Sequence, residues 1–408
     1  MNPIRADLGF GVDNLPYGVA DIAGGPAQVV VRLGNAVLPV AAAVPATERW
    51  RFEQPSLNHF LAAGPQVWQT TRERLADHLG NPSRTRDLIE VGAVTLRLPF
   101  AVGDYVDFYS SIEHATNLGR ILRPDTEPLL PNWRRLPVGY HGRSRSVVVS
   151  GTPVVRPTGL VTDDPDGPVV RRPTRQLDFE LEVGFVVGPG NQPGHPIPPD
   201  QADQHVFGAV LVNDWSARDL QSYEYRPLGP FLGKSFLTTI SPWVVPLAAL
   251  QPHLREPPAQ SPAPDAFLTA QRPWGIDMML EADVAGTTIC RTNLRHLYWT
   301  FAQQLAHLTS NGAVTGPGDL FATGTVSGPG ADERGSLIEA TWSGRDPLRL
   351  DDGTTRTWLE DGDTVVLRGW AGGNGNNPRI GFGDATGTVQ PAHGTTSATP
   401  PARESILS

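Results

Sequence analysis

Lysine is almost missing from this sequence. Of 33 basic residues only Lys234 is lysine, and the rest are arginine. Arginine is a wide planar fork that stays charged, whereas lysine is a compact point charge on a flexible stem. The stretch around it, PLGPFLGKSF, is apolar and rich in Gly and Pro. Either the one lysine is an accident, or a tight site there needs a compact cation.

Cysteine is equally scarce. Cys290 stands alone, which excludes an intrachain disulfide and suits a reducing compartment. No histidine sits beside it in GTTICRTN, so it reads as structural rather than nucleophilic. Positive charge is in deficit: the net charge is −9 and the pI about 5.6. That excludes nucleic acid or an anionic membrane as a default partner. Long apolar runs are absent too. The longest, from Val29, is broken by Arg32, Asn35 and Pro39, too often for a membrane span. The first residues, MNPIRADLGF, lack the basic-then-apolar order of a signal peptide. A cytoplasmic protein with no membrane association is expected. No phosphate loop, CxxC pair, HExxH or GxSxG appears. The glycine-rich stretch GPGDLFATGTVSGPG, 316–330, has no lysine. It reads as tight turns near a backbone-lined pocket, where Thr325 offers a hydroxyl.

What is present is glycine and proline, 43 and 40 residues. They punctuate short apolar runs and predict a β-rich α+β fold. Residues 1–100 read as a small N-terminal unit, with a hairpin at Gly34-Asn35 and a helix interrupted at Gly64-Pro65 and stopped at Gly80. Residues 101–392 form the body. Its clearest strands are SVVVSGTPVVRP, ELEVGFVVGPG, FGAVLVNDW and DTVVLRGW. Helices are expected at 214–225 and 295–312, the latter stopped by Gly312. Residues 393–408 are polar and Pro/Ser/Thr-rich, the composition of a disordered tail.

Three segments gather polar groups. In QLDFELEVGF, 176–185, strand alternation places Asp178, Glu180 and Glu182 on one face. They form either a cation or acid/base site, because buried charges are normally paired or metal-bound, or a solvated acidic stripe. In NDWSARDLQSYEY a helix opened by Asp214 would align Arg218, Gln221 and Tyr225, as a polar pocket wall or a solvated face. In DFYSSIEHATNLG, Asp107, Ser110 or Ser111, and His114 recur at helical spacing. A carboxylate and an imidazole there suit metal binding and general-base work, although a lone histidine is often structural.

Taken together, DFYSSIEHATNLG, PNWRRLPVGYHGRSRSVVVSGTP, DFELEVGFVVGPGN, FGAVLVNDWSARDLQ, EYRPLGPFLGKSF and GDLFATGTVSGPG resemble the fumarylacetoacetate hydrolase family, in order and spacing, over roughly residues 10–390. The resemblance implies a small N-terminal SH3-like β-barrel, a C-terminal mixed β-roll and a homodimer. It implies that Asp107, Glu180, Glu182 and Asp214 hold Ca²⁺ or Mg²⁺, an oxygen set that hard cations prefer. Lys234 and Thr238 match a second Mg²⁺ site, where a lysine would contribute its backbone carbonyl or act through water. His114 matches the general base, Glu339 its orienting partner, and Arg218, Gln221 and Lys234 the oxyanion-stabilising group. Tyr109, Arg123, Tyr140, Gln221, Tyr225 and Thr325 match substrate-binding positions. The implied reaction is hydrolysis of a C–C bond in the β-diketo acid 4-fumarylacetoacetate, the last step of tyrosine and phenylalanine breakdown. Two alternatives compete with it. One is a relative that cleaves or decarboxylates acylpyruvates or other β-diketo acids; the other is a Ca²⁺-binding β module without catalysis.

Overall fold

Strands dominate because short β-branched runs alternate with turn residues throughout the chain. The computed structural model describes residues 9–394 except 82, 83, 85, 86, 165 and 374–376. The polar tail from residue 395 therefore lies outside the described residues.

The N-terminal unit has strands β1 (Tyr17–Ile22), β2 (Gln28–Leu33), β3 (Ala36–Pro39), β4 (Ile89–Glu90) and β5 (Val94–Arg97), in the order β4-β3-β2-β1-β5. The hairpin expected at Gly34-Asn35 forms, with Leu33 opposite Ala36. Between β3 and β4 lie helices α1 (Asn58–Leu61) and α2 (Pro65–Leu79). The expected interruption at Gly64 is real. Its φ of 81° suits glycine, and Pro65 opens α2 where no N–H is needed.

The body holds an eight-stranded mixed sheet and a six-stranded sheet. The first contains β6 (Tyr105–Phe108), β7 (Gly139–His141), β8 (Val147–Val149), β9 (Leu181–Val187), β10 (Val206–Asp214) and β11 (Thr238–Ile240). Strands β9 and β10 are buried at every position, which matches their unbroken apolar sequence. They pair antiparallel at the centre, and β6 lies two strands away, beyond Leu320–Ala322. The six-stranded sheet is built mainly on Met278–Val284, Thr287–Asn293, Thr364–Ala371 and Ala385–Gln390.

One core fills the space between the two body sheets, with Trp215, Phe185 and Phe301 inside it. A second core joins the N-terminal unit to the back of the large sheet: Tyr17, Phe52, Phe60 and Trp68 pack with Phe207, Val210 and Ile240. Each large apolar side chain so buried contributes about 1.5–3 kcal/mol. Cys290 is buried in the body core, as a structural cysteine would be.

Two helix expectations need correction. Asp214 does not open a helix. It is the last residue of β10, opposite Thr238, because the β-branched run before it is buried on both faces. The helix there, α4, is Arg218–Glu224, and α3 (Ile112–Leu122) precedes it in the chain. The predicted helix over 295–312 shortens to α5, Phe301–Thr309, where Thr300 and Gln303 form a capping box. Leu297 and Tyr298 lie before it, after a short 3₁₀ turn at Leu294–His296.

Candidate active site

The site lies at one end of the central strands of the large sheet, where β6 and β10 finish and β9 begins. Asp107 sits on β6, Glu182 on β9 and Asp214 at the end of β10. Glu180 precedes β9 and bridges to Ser336. One oxygen from each carboxylate lies within 4.8 Å of the others, and all four residues are buried. The strands impose this gathering, since none of the four is close to all the others in sequence.

Asp178 leaves the group that strand alternation assigned it to. The strand ends after Leu177–Asp178, which pairs with Ser216-Ala217, and a new one begins at Leu181. The Asp178 carboxylate accepts from the N–H groups of Leu337 (2.7 Å) and Ile338 (3.0 Å). Those open a short helix, α6 (Leu337–Ala340), which carries Glu339. Asp178 also accepts from Arg218 Nε at 2.8 Å. It is a structural anchor rather than a member of the cluster.

The electrostatics are lopsided. Burial first, then Asp214 and Glu180, push Asp107 well above the usual carboxylate range. Burial followed by Asp107, Glu180 and Asp214 does the same to Glu182. Burial also raises Asp214, against the pull of Lys234. Glu180 is the exception. Burial pushes it up, but Lys234 and Arg218 together outweigh that and hold it ionised. Lys234 donates to Glu180 and, at 2.9 Å, to Asp214, and Arg218 Nη2 pairs with Glu180 at 2.8 Å. Burial lowers Lys234, yet Asp214 and Glu180 raise it further, so it stays charged.

These residues fit a divalent cation. Both oxygens of Glu182 and Oδ1 of Asp107 are buried with no hydrogen-bond partner. A carboxylate without donors in the interior is costly unless a cation meets it, and four oxygen donors of this type suit a hard cation. Thr238 Oγ1 and Tyr140 OH donate to Asp214 at 3.1 and 3.3 Å.

His114 reaches the site by a different route from the predicted one. Asp107 and His114 do not share a helix. The strand ends at Phe108, and Ser111 caps α3, its Oγ accepting from His114 N at 3.2 Å. Ser110 faces elsewhere and accepts from Gln304 at 2.6 Å. His114 Nδ1 meets Glu339 Oε2 at 2.6 Å. Glu339 is fully buried and also accepts from Asn117, Ser327 and Ser336 at 2.9–3.0 Å. Burial raises it, but His114 and these donors bring it below its ordinary value. Asn117, Ser327 and Ser336 were invisible to sequence reasoning, since common residue types at no diagnostic spacing carry no signal.

Of the remaining expected positions, Gln221 accepts from Arg218 Nη1 at 3.1 Å, one turn along α4. The Tyr109 ring meets His114 edge-on at 5.3 Å. Its phenol is raised by burial and by Glu339, with Arg123 acting the other way. Arg123 Nη2 donates to Pro128 O, while its buried Nε has no partner. Thr325 Oγ1 is likewise buried and unpartnered. It follows Gly324, whose φ of 75° and close approach to Phe108 O leave no room for a Cβ. Tyr225 lies farther out, as the C-cap of α4, with its ring under Arg226 at 5.1 Å. A cavity of about 390 Å³ opens onto the cluster past Tyr140, Asp214, Lys234, Thr238 and Phe231.

Comparison with known proteins gives a consistent result. A family model described as fumarylacetoacetate (FAA) hydrolase C-terminal matches residues 105–390, and one described as fumarylacetoacetase N-terminal matches residues 13–99. The chain is 45% identical to the Homo sapiens fumarylacetoacetase over 413 residues, covering 96% of this chain and 98% of that one. It is 42% identical to the Arabidopsis thaliana fumarylacetoacetase, over 95% of this chain and 97% of that one. Among solved structures, a fumarylacetoacetate hydrolase from psychrophilic Exiguobacterium antarcticum superposes with a TM-score of 0.55 at 17% identity, over 92% of this chain and 99% of the other. At that identity the likeness is one of fold.

Proposed function

The chain belongs to the fumarylacetoacetate hydrolase family, and on that premise we propose that it hydrolyses 4-fumarylacetoacetate to fumarate and acetoacetate. The observation that carries the reading is the His114–Glu339 pair, set beside a buried four-carboxylate cluster that lacks a cation's worth of positive charge. A divalent ion bound by Asp107, Glu180, Glu182 and Asp214 would supply Lewis-acid charge to the diketone oxygens.

The chain's own residues do the rest. With the proton on Nδ1 donated to Glu339, the imidazole keeps a lone pair on Nε2. Nε2 takes a proton from water as the water oxygen adds to the carbonyl carbon of the fumaroyl group, which becomes the new carboxyl of fumarate. The new oxyanion is stabilised by Lys234, Arg218 and Gln221. Lys234 has three N–H donors, and Glu180 and Asp214 occupy two. Arg218 holds the Gln221 carbonyl oxygen, which turns the Gln221 amide N–H groups outward as donors. The carbon–carbon bond then breaks, its electron pair leaves with the acetoacetate half, and the imidazolium returns the proton to that carbon. Arg123, Tyr109, Tyr140, Tyr225 and Thr325 bind the substrate. The unpartnered Arg123 Nε and Thr325 Oγ1 are donors of the kind that carboxylate and ketone oxygens need.

The finer expectations belong to the same proposal: Ca²⁺ or Mg²⁺ as the ion, a second Mg²⁺ at Lys234 and Thr238, a homodimer, a cytoplasmic location, and two domains at 1–100 and 101–392 with an SH3-like barrel in the first. No described helix is long and apolar enough to cross a membrane.

The test is direct. Protein supplied with Mg²⁺ or Ca²⁺ should consume fumarylacetoacetate, followed by loss of the diketone absorbance, and faster than it consumes acylpyruvates. His114→Ala should reduce kcat by about 10²–10⁴-fold, the usual share of a general base. An unchanged rate in His114→Ala would remove the mechanism. Ion binding with no turnover of any diketone would favour the non-catalytic alternative.

A further inference from the structure

Away from the carboxylate cluster, a second cavity of about 400 Å³ lies between the N-terminal unit and the body. Its walls are Trp68 on α2, Phe207 on β10, and Pro246 and Leu247 from the chain that follows β11. Ligand pockets favour such junctions, and this volume lies within their usual range of roughly 300–1,000 Å³. An apolar cavity alone would say little, but this one also holds a guanidinium paired with no carboxylate among the described residues and a buried hydroxyl without a partner.

Arg72, one turn along α2 from Trp68, lines the cavity and is half-buried. Its guanidinium donates to the backbone carbonyls of Asn14 (2.7 Å) and Asp13. Among the described residues, no carboxylate forms an ion pair with it. A guanidinium has five N–H donors in a fixed fork, so backbone contacts leave donors and a net charge uncompensated. Burial depresses its pKa, with Tyr17 and Asp13 acting against that. Tyr17, another wall residue, is fully buried between Phe60 and Phe207, and its hydroxyl has no partner. The acidic residue at the rim, Asp203, is already paired with Arg272 at 2.6 Å, so its charge does not serve Arg72.

We infer that this cavity binds a small aromatic or aliphatic carboxylate, with its apolar body against Trp68, Phe207 and Leu247 and its carboxylate on Arg72. A bidentate carboxylate would neutralise the half-buried guanidinium, and the apolar body would displace water from the aromatic walls. Because α2 and β10 both line the cavity, with Trp68 and Phe207 in ring contact at 5.2 Å, occupancy would clamp the N-terminal unit onto the large sheet.

Calorimetry on the full chain tests this with 3-phenylpropionate as the probe and its neutral amide as control. Saturable binding of the acid is expected, with the amide at least about tenfold weaker, as loss of a charge-assisted pair implies. Arg72→Gln should weaken the acid by a similar factor. Ala248→Phe adds a ring at an exposed wall position without touching the core, and it should abolish binding while leaving the fold intact. His114→Ala should leave binding unchanged. No saturable heat with the acid, equal affinity for the amide, or full binding in Ala248→Phe would each overturn the inference. So would loss of binding in His114→Ala, because that would place the probe in the other site.

Discussion

Lys234 sits between Glu180 and Asp214, in contact with both and almost without exposure. An ammonium fits there because it is compact and its three donors can point in three directions. A guanidinium would carry the same charge, but its planar fork would have to push the two carboxylates apart. This chain uses arginine for every other basic position, so Lys234→Arg is a fair test of shape with charge held constant. The variant should fold, with an unchanged circular dichroism spectrum, and lose about 100-fold or more in kcat, the scale of removing one oxyanion donor. Turnover near the parent level would make the lone lysine an accident. The identity of this residue was visible in the sequence, but its contacts with Glu180 and Asp214 were not. They join positions 54 and 20 residues away.

The short helix α6 shows how an element this small is held. Four residues cannot stabilise a helix by themselves, yet this one must hold Glu339 against His114. The Asp178 carboxylate caps it through two N–H groups and at the same time fixes Arg218. Asp178→Asn should therefore destabilise the fold by up to about 3 kcal/mol, since it removes one partner of a buried ion pair. It should leave ion binding intact, because Asp178 is not among the clustered carboxylates. Urea unfolding checks the first point and calcium titration the second. A change in unfolding free energy below about 0.5 kcal/mol, the scatter of neutral substitutions, would rule out the anchoring role. At this scale the sequence was legible where the pattern was local. The hairpin at Gly34-Asn35, the break at Gly64-Pro65 and the buried strand Leu181–Val187 follow directly from turn chemistry and periodicity. It misled where a polar residue ended an apolar run. Asp214 looked like a helix opener but closes a strand, since burial on both faces of β10 overrode the local capping signal.

At the scale of the whole molecule, the cluster ties stability to pH and to cation. Asp107 and Glu182 hold their protons well above the usual carboxylate range because they are buried beside other carboxylates. In the ion-free protein the folded state then binds more protons than the unfolded one. Stability should fall as pH rises from the ordinary carboxylate value towards those raised values. A divalent ion should reverse this and release protons as it binds. Thermal unfolding in chelator should give a lower Tm at about pH 8 than at about pH 5, and adding Ca²⁺ or Mg²⁺ should raise Tm most at the higher pH. A chelated protein whose Tm rises across that window would contradict the linkage. By itself the sequence determined the strand-rich composition, the two matched segments and the residue types of the site, because these depend on local pattern and on motifs read in order. The tertiary structure decided what strand alternation could not: Asp178 turns away to cap α6, and Asp214, at the end of β10, meets Asp107, Glu180 and Glu182. It also decided that Glu339 is held by Asn117, Ser327 and Ser336, and that Arg72 lines a cavity with no ion-pair partner among the described residues. These depend on which strand ends and helix starts converge in space, and burial decides that convergence over the whole chain at once.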